Sequence, residues 1–122
     1  MFSKEFINNK LYSLSLSKFR SSFHLNNKMK EYVKEKGLDK IRSDGLDLIS
    51  KRLAPKEIKN DGKQTPMKQV HPIFIAQHAC ACCCRGCLEK WYKIPKDREL
   101  TSEEIEGIVN LLIEWIKKEL VI

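Results

Sequence analysis

The chain has 122 residues, 42% hydrophobic and 32% charged, with a net charge of +7. That describes one small domain with a thin core, and no apolar run is long enough to span a membrane. All five cysteines fall between Cys80 and Cys87, which argues against a disulfide framework, since one spreads its cysteines along the chain to staple distant loops.

Residues 1–26 read as a lead-in. The stretch MFSKEFINNKLYSLSLSKFRSSF has no continuous apolar region of the kind a secretory leader carries, and no cleavage signal follows. A cytoplasmic protein with reduced thiols is therefore expected. Residues 1–11 are read as frayed or helical, and the Ser-rich residues 12–26 show no clear period.

Residues 27–53 read as a helical pair. Asn26 or Asn27 caps a helix over 28–36, where Met29, Tyr32 and Val33 share a face, and Gly37 stops it. Asp39 is expected to cap a second helix running to about Leu53. Ile41, Gly45, Leu48, Ile49 and Leu53 form its apolar stripe, and Pro55 ends it. Gly45 in that stripe would permit close approach of another backbone.

Residues 54–70 read as a loop, with Asn60-Asp61-Gly62 as a turn signal and Pro66 as a further breaker. A loop of that length in a small domain points to function. In residues 71–93, HPIFIAQHA is either a buried strand or a helix with Pro72 at its first position. Periodicity does not decide between the two. A short helix is expected to start within CCCRGC and run to Tyr92, with Leu88 and Trp91 inward and Pro95 ending it. The last element, over 101–120, is the clearest. Thr101 and Glu104 form a capping box, and Ile105, Ile108, Val109, Leu112, Trp115, Ile116 and Leu120 mark one face. The expected fold is mainly α: a small single domain with a Cys/His-rich loop between helices.

The charge is uneven: +7 over residues 1–60, +4 over 61–98 and −4 over 99–122. A basic body suggests an anionic partner such as nucleic acid, with Lys18, Arg20 and Lys63 as phosphate contacts. The plainer reading is that these are solvated charges that keep the protein soluble. His24, between Phe23 and Leu25, reads as a packing or surface histidine.

The cysteine cluster carries the chemistry. Cys84-Arg85-Gly86-Cys87 is a C-x-x-C, whose turn brings two thiolates to the same side of one ion. His78 and Cys83 or Cys80 would complete a tetrahedral set, with His71 in reserve. Adjacent Cys83 and Cys84 are expected to diverge. A zinc finger has a second ligand pair downstream, and here no Cys or His follows Cys87. Cys80, Cys84 and Cys87 also have radical-SAM cluster spacing, on a chain too short for the barrel that encloses such a site.

A redox or nucleophilic reading needs a thiolate. Arg85 and the helix start would lower the pKa of Cys84, with Cys83 as the alternative nucleophile. His78 would be the base, and Gln77, Arg85 or Lys63 would polarise the substrate. The bland reading makes the cysteines small buried hydrophobes beside Ala79 and Ala81.

The segments NDGKQTPMK, HPIFIAQHA, CCRGCLEKW and LTSEE, with LSLSKFRSSFHL and ISKRLAP upstream, resemble the microbial domain-of-unknown-function family 4186. The family pattern reads HATATCCRGCLEKWH. The resemblance places His78, Cys83, Cys84, Arg85 and Cys87 in the motif. Cys80 and Cys82 stand where the family has threonine, and Tyr92 where it has histidine. The resemblance implies no activity.

Three functional readings follow. The first is a metal-binding module with zinc on His78, Cys83, Cys84 and Cys87, its basic face contacting nucleic acid or another polyanion. The second is an enzyme using a Cys84 or Cys83 thiolate. The third is a scaffold whose cysteines pack.

Overall fold

The computed structural model describes residues 1–57 and 63–121. Among these the chain forms six α-helices and one 3-10 turn, and no strand. The turn expected at Asn60-Asp61-Gly62 lies outside the described residues.

Helix α1 spans Lys4–Ser15, capped by the Ser3 hydroxyl, which accepts the amide of Phe6. Ile7, Leu11 and Leu14 are its buried face. The stretch read as frayed or helical is therefore packed helix from Lys4, and the helix runs into the first residues of the segment read as periodless, with the 3-10 turn Arg20–Ser22 following it. Phe6 packs beside that face, partly buried, and much of the rest of α1 is Asn, Lys and Ser, so its apolar stripe is narrow.

Helix α2 spans Asn27–Lys36 and is capped by Asn26, whose side chain accepts from Met29 N–H. Gly37 separates it from α3, Leu38–Arg52, at a φ of 86° that costs glycine nothing. Gly37 itself is the N-cap of α3 and gives no side-chain bond. Asp39, expected as that cap, sits in the first turn, where its charge still suits the helix dipole.

Segment 71–79 resolves as a helix. Helix α4, Pro72–Ala79, has Pro at its start and His71 as its cap, with Nδ1 accepting from Ile73 N–H at 3.0 Å. Every residue of α4 is buried, which is why no amphipathic period showed. Helix α5, Arg85–Tyr92, ends with Lys93 in the left-handed region at φ 59°. The chain has thus left the helix before Pro95.

Helix α6, Ser102–Leu120, carries both bonds of the Thr101–Glu104 capping box. Its buried residues include Ile108, Val109, Leu111, Leu112 and Ile116. It lies against α1, α3 and α4 and forms the centre of the core. At Gly45 a Cβ would meet Ile73 Cδ1 at 3.0 Å and Val109 Cγ1 at 3.3 Å. The glycine does allow close approach, by side chains of α4 and α6. At Gly107 a Cβ would overlap the ring of Phe2, so the bare backbone there seats the start of the chain against α6. No described helix is long and apolar enough to cross a membrane.

Candidate metal centre

The site is built by two consecutive helix ends. Helix α4 stops at Cys80, and Ala81 follows in the left-handed region at φ 57°. Cys82 N–H donates to Gln77 O at 2.8 Å and Ala81 N–H to His78 O at 3.4 Å. This pair of bonds is a Schellman stop, with alanine where glycine is usual. A left-handed alanine costs about 1 kcal/mol more than glycine. The turn reverses the chain, and α5 begins at once.

Cys84 is the N-cap of α5, and its Sγ accepts Cys87 N–H at 3.4 Å. That bond folds the Cys84 thiol over the first turn, 3.2 Å from Cys87 Sγ. Cys83 Sγ reaches the same atom at 3.6 Å. The three sulfurs all lie within 4.8 Å of one another. Adjacent Cys83 and Cys84, expected to diverge, converge because both point toward Cys87, one turn into the helix. Tetrahedral zinc with Zn–S bonds of about 2.3 Å needs sulfurs about 3.8 Å apart. The trio fits one such ion with small movements.

The other two cysteines are elsewhere. Cys80 and Cys82 are fully buried and belong to the hydrophobic core. Burial pushes both thiols up in pKa. Tyr92 O–H donates to Cys80 O at 2.5 Å. Cys80 is outside the trio, so the cluster spacing of Cys80, Cys84 and Cys87 does not correspond to one site. For these two residues the packing reading holds.

Arg20 supplies the charge at the trio. Its Nη1 donates to His78 O at 2.8 Å and to Cys83 Sγ at 3.6 Å, and its Nη2 to Cys87 Sγ at 3.3 Å. The bond with Cys87, helped by Arg20 and opposed by burial, holds Cys83 at about 7. Cys87 moves the other way, pushed up by the same bond to Cys83 and by burial. The pair therefore loses its first proton from Cys83.

His78 is buried and lies outside the trio. Its Nε2 is 3.0 Å from Thr65 O, and a carbonyl only accepts, so that nitrogen carries the proton. Its ring stacks on Phe23, centroids 5.3 Å apart. Thr65 Oγ1 donates to Cys83 O at 2.9 Å. Thr65 thus ties the long loop to both His78 and the cysteine segment. His71 is occupied as the α4 cap, and its Nε2 faces Asp44 at 3.1 Å.

Arg85, expected to act on the thiols, is directed to backbone carbonyls. It is 2% exposed. Its guanidinium donates to the carbonyls of Leu53, Ala54 and Pro55 at 3.3–3.4 Å, and to those of Pro95 and Arg98 at 2.6 and 2.7 Å. It is a structural clamp between two loops. Gln77, also buried, donates to Cys82 O at 3.0 Å. Lys18 and Lys63 are exposed, whereas Arg20, the third expected phosphate contact, is half-buried against sulfur. Thr65 is a site residue that sequence reasoning missed, and Arg20 is read there as a phosphate contact and not as a partner of the thiols. Local spacing gives no signal for either, because both come from distant segments.

The family model described as Domain of unknown function (DUF4186) matches residues 8–117. The chain belongs to that family. No solved structure matches it.

Proposed function

We propose that this DUF4186 protein is a metal-binding module whose zinc ion is held by Cys83, Cys84 and Cys87. The observation that carries the reading is the convergence of three thiols, two of the pairs 3.2 and 3.6 Å apart. Thiolates select zinc and other thiophilic ions over hard cations. Three thiolates and Zn²⁺ leave a net charge of −1, which the Arg20 guanidinium against two of the sulfurs offsets. Three protein ligands leave a fourth position for water or an outside ligand, the pattern of zinc sites that do chemistry. The test is metal analysis of protein purified without chelator or affinity-tag metal. One zinc per chain, and a lower melting temperature after chelation, support the reading. Metal-free protein with unchanged melting sinks it.

A second reading is favoured by the Arg20–Cys83 contact. A half-buried thiol held at about 7 beside a guanidinium suits nucleophilic chemistry. In this version Cys83 is the nucleophile and Arg20 its cation. Stoichiometric metal that blocks alkylation of Cys83 favours the first reading. Metal-free protein with one fast thiol favours the second.

The basic body is proposed to contact a polyanion, nucleic acid first, through exposed Lys18 and Lys63. Fluorescence anisotropy with single- and double-stranded oligonucleotides at two salt concentrations tests this. Binding should weaken with salt and with Lys18→Ala and Lys63→Ala. No binding at low salt removes nucleic acid.

A further inference from the structure

Beside the thiol trio, the structure holds a cleft of about 320 Å³ between α1, the 3-10 turn and the end of α6. We infer that this cleft is a binding site for a small organic anion with a flat apolar body. Its floor is apolar, formed by Leu11, Leu14, Phe23 and Trp115. Its volume falls at the lower end of small-molecule sites, which run from about 300 to 1,000 Å³. Three aromatic side chains in the lining, Tyr12, Phe23 and Trp115, suit a ring or another flat group.

The charges in the wall select the sign of the ligand. Glu119 is the only carboxylate among the lining residues, and its charge is already engaged. One oxygen accepts Leu25 N–H at 2.8 Å and the other faces His24 Nδ1 at 3.0 Å. Of the two cations in the lining, Arg20 is turned to the sulfurs of Cys83 and Cys87, whereas Lys118 makes no ion pair among the described residues and is the charge left for a ligand. An anionic end group is therefore matched at the rim and an apolar body at the floor.

The cleft is also wired to the cysteine site. Arg20 lines it and donates to Cys83 and Cys87. Phe23 lines it and stacks on His78. Arg20 thus faces both the cleft and the sulfurs, and Phe23 both the cleft and His78. The proposal does not depend on the metal reading, because no cysteine lines the cleft.

The probe is 1-anilinonaphthalene-8-sulfonate, an aryl sulfonate, titrated into the full chain and followed by fluorescence. Saturable one-to-one binding is expected. The uncharged N-phenyl-1-naphthylamine should bind about tenfold more weakly, the scale of one lost charge contact in a half-exposed site. Lys118→Glu should weaken the sulfonate by a similar factor. Ser15→Trp, at an exposed wall position, should fill the mouth and abolish binding while circular dichroism is unchanged. The proposal is overturned by an absence of saturable binding, by equal affinity for the neutral dye, or by retention of binding in folded Ser15→Trp. Lys118 is at the surface, so its variant keeps the test informative even if Ser15→Trp fails to fold.

Discussion

Arg20 and Cys87 are separated by 67 positions in sequence, yet Arg20 Nη2 lies 3.3 Å from Cys87 Sγ. The contact anchors the 3-10 turn to the first turn of α5. It also places a fixed positive charge where thiolates form. Because Arg20 bonds Cys83 as well, it favours the ionised form of that thiol. In metal-stripped protein, Arg20→Ala should raise the pKa of Cys83 above its present value of about 7. Alkylation by iodoacetamide at pH 7 should slow by roughly three- to tenfold, as the thiolate fraction falls. The shift is partial because the larger effect on Cys83 is its bond with Cys87. Peptide mapping over a pH series checks both the order and the midpoint. An unchanged midpoint in the variant would remove Arg20 from the chemistry of the site.

The five cysteines should separate into two classes on metal analysis. Cys83→Ser, Cys84→Ser and Cys87→Ser should each lose most of the bound zinc, since each removes a ligand from a three-sulfur set. Cys80→Ala and Cys82→Ala should keep the metal and lose about 1 kcal/mol of stability from the small cavities they leave. His78→Ala should lower stability, through its stacking on Phe23 and its bond to Thr65, more than it lowers zinc content. Loss of zinc in Cys80→Ala equal to that in Cys87→Ser would contradict the assignment.

Features with a local physical signature were legible in the sequence. The α6 stripe, its capping box and the Gly37 break all depend on spacings of four residues or fewer. The C-x-x-C pair is of the same kind, and its two sulfurs do lie together with that of Cys83. The continuation of α1 through Ser15 was hidden because its buried face rests on few residues, Ile7, Leu11 and Leu14, packed against the rest of the fold. Arg20 and Thr65 were hidden because their contacts form only when the chain closes on itself. The carbonyl contacts of Arg85 were hidden for the same reason. It follows Cys84 directly, but its side chain is directed to carbonyls at positions 53–55, 95 and 98.

That role of Arg85 gives a sharp stability test. A buried guanidinium donating to five carbonyls has no substitute among other side chains. Arg85→Met should cost about 3–5 kcal/mol, because it strips donors from buried acceptors. Arg85→Lys should rescue little, since an ammonium lacks the planar fork that spans two loops. Urea denaturation measures both. Under conditions where Arg85→Lys is folded, the alkylation rate of Cys83 should match that of the parent protein. A large change in that rate with little loss of stability would instead make Arg85 an electrostatic partner of the thiols.

The start of α6 should give the fold an acid-sensitive element. Glu104 accepts from Arg98 through both oxygens, at 2.8 and 2.9 Å, and from Thr101 N–H at 2.9 Å. The Arg98 bonds, chiefly, hold its carboxyl at about 2, well below the value near 4.3 of an unfolded chain. A carboxylate with a depressed folded pKa stabilises the fold above its unfolded pKa. That contribution is lost as pH falls from about 4.3 toward 2. Arg98 is partly exposed, so solvent screening reduces the effect to about 1–2 kcal/mol. Glu104→Gln should therefore be less stable than the parent by about that amount at pH 7. The gap should close progressively as the pH is lowered from 4.3 toward 2. Urea midpoints of the two proteins across that range are the measurement. A gap of constant size down to pH 2 would mean that the side chain acts through packing or through the uncharged part of the capping box, and that its ionisation contributes nothing to holding α6 in place.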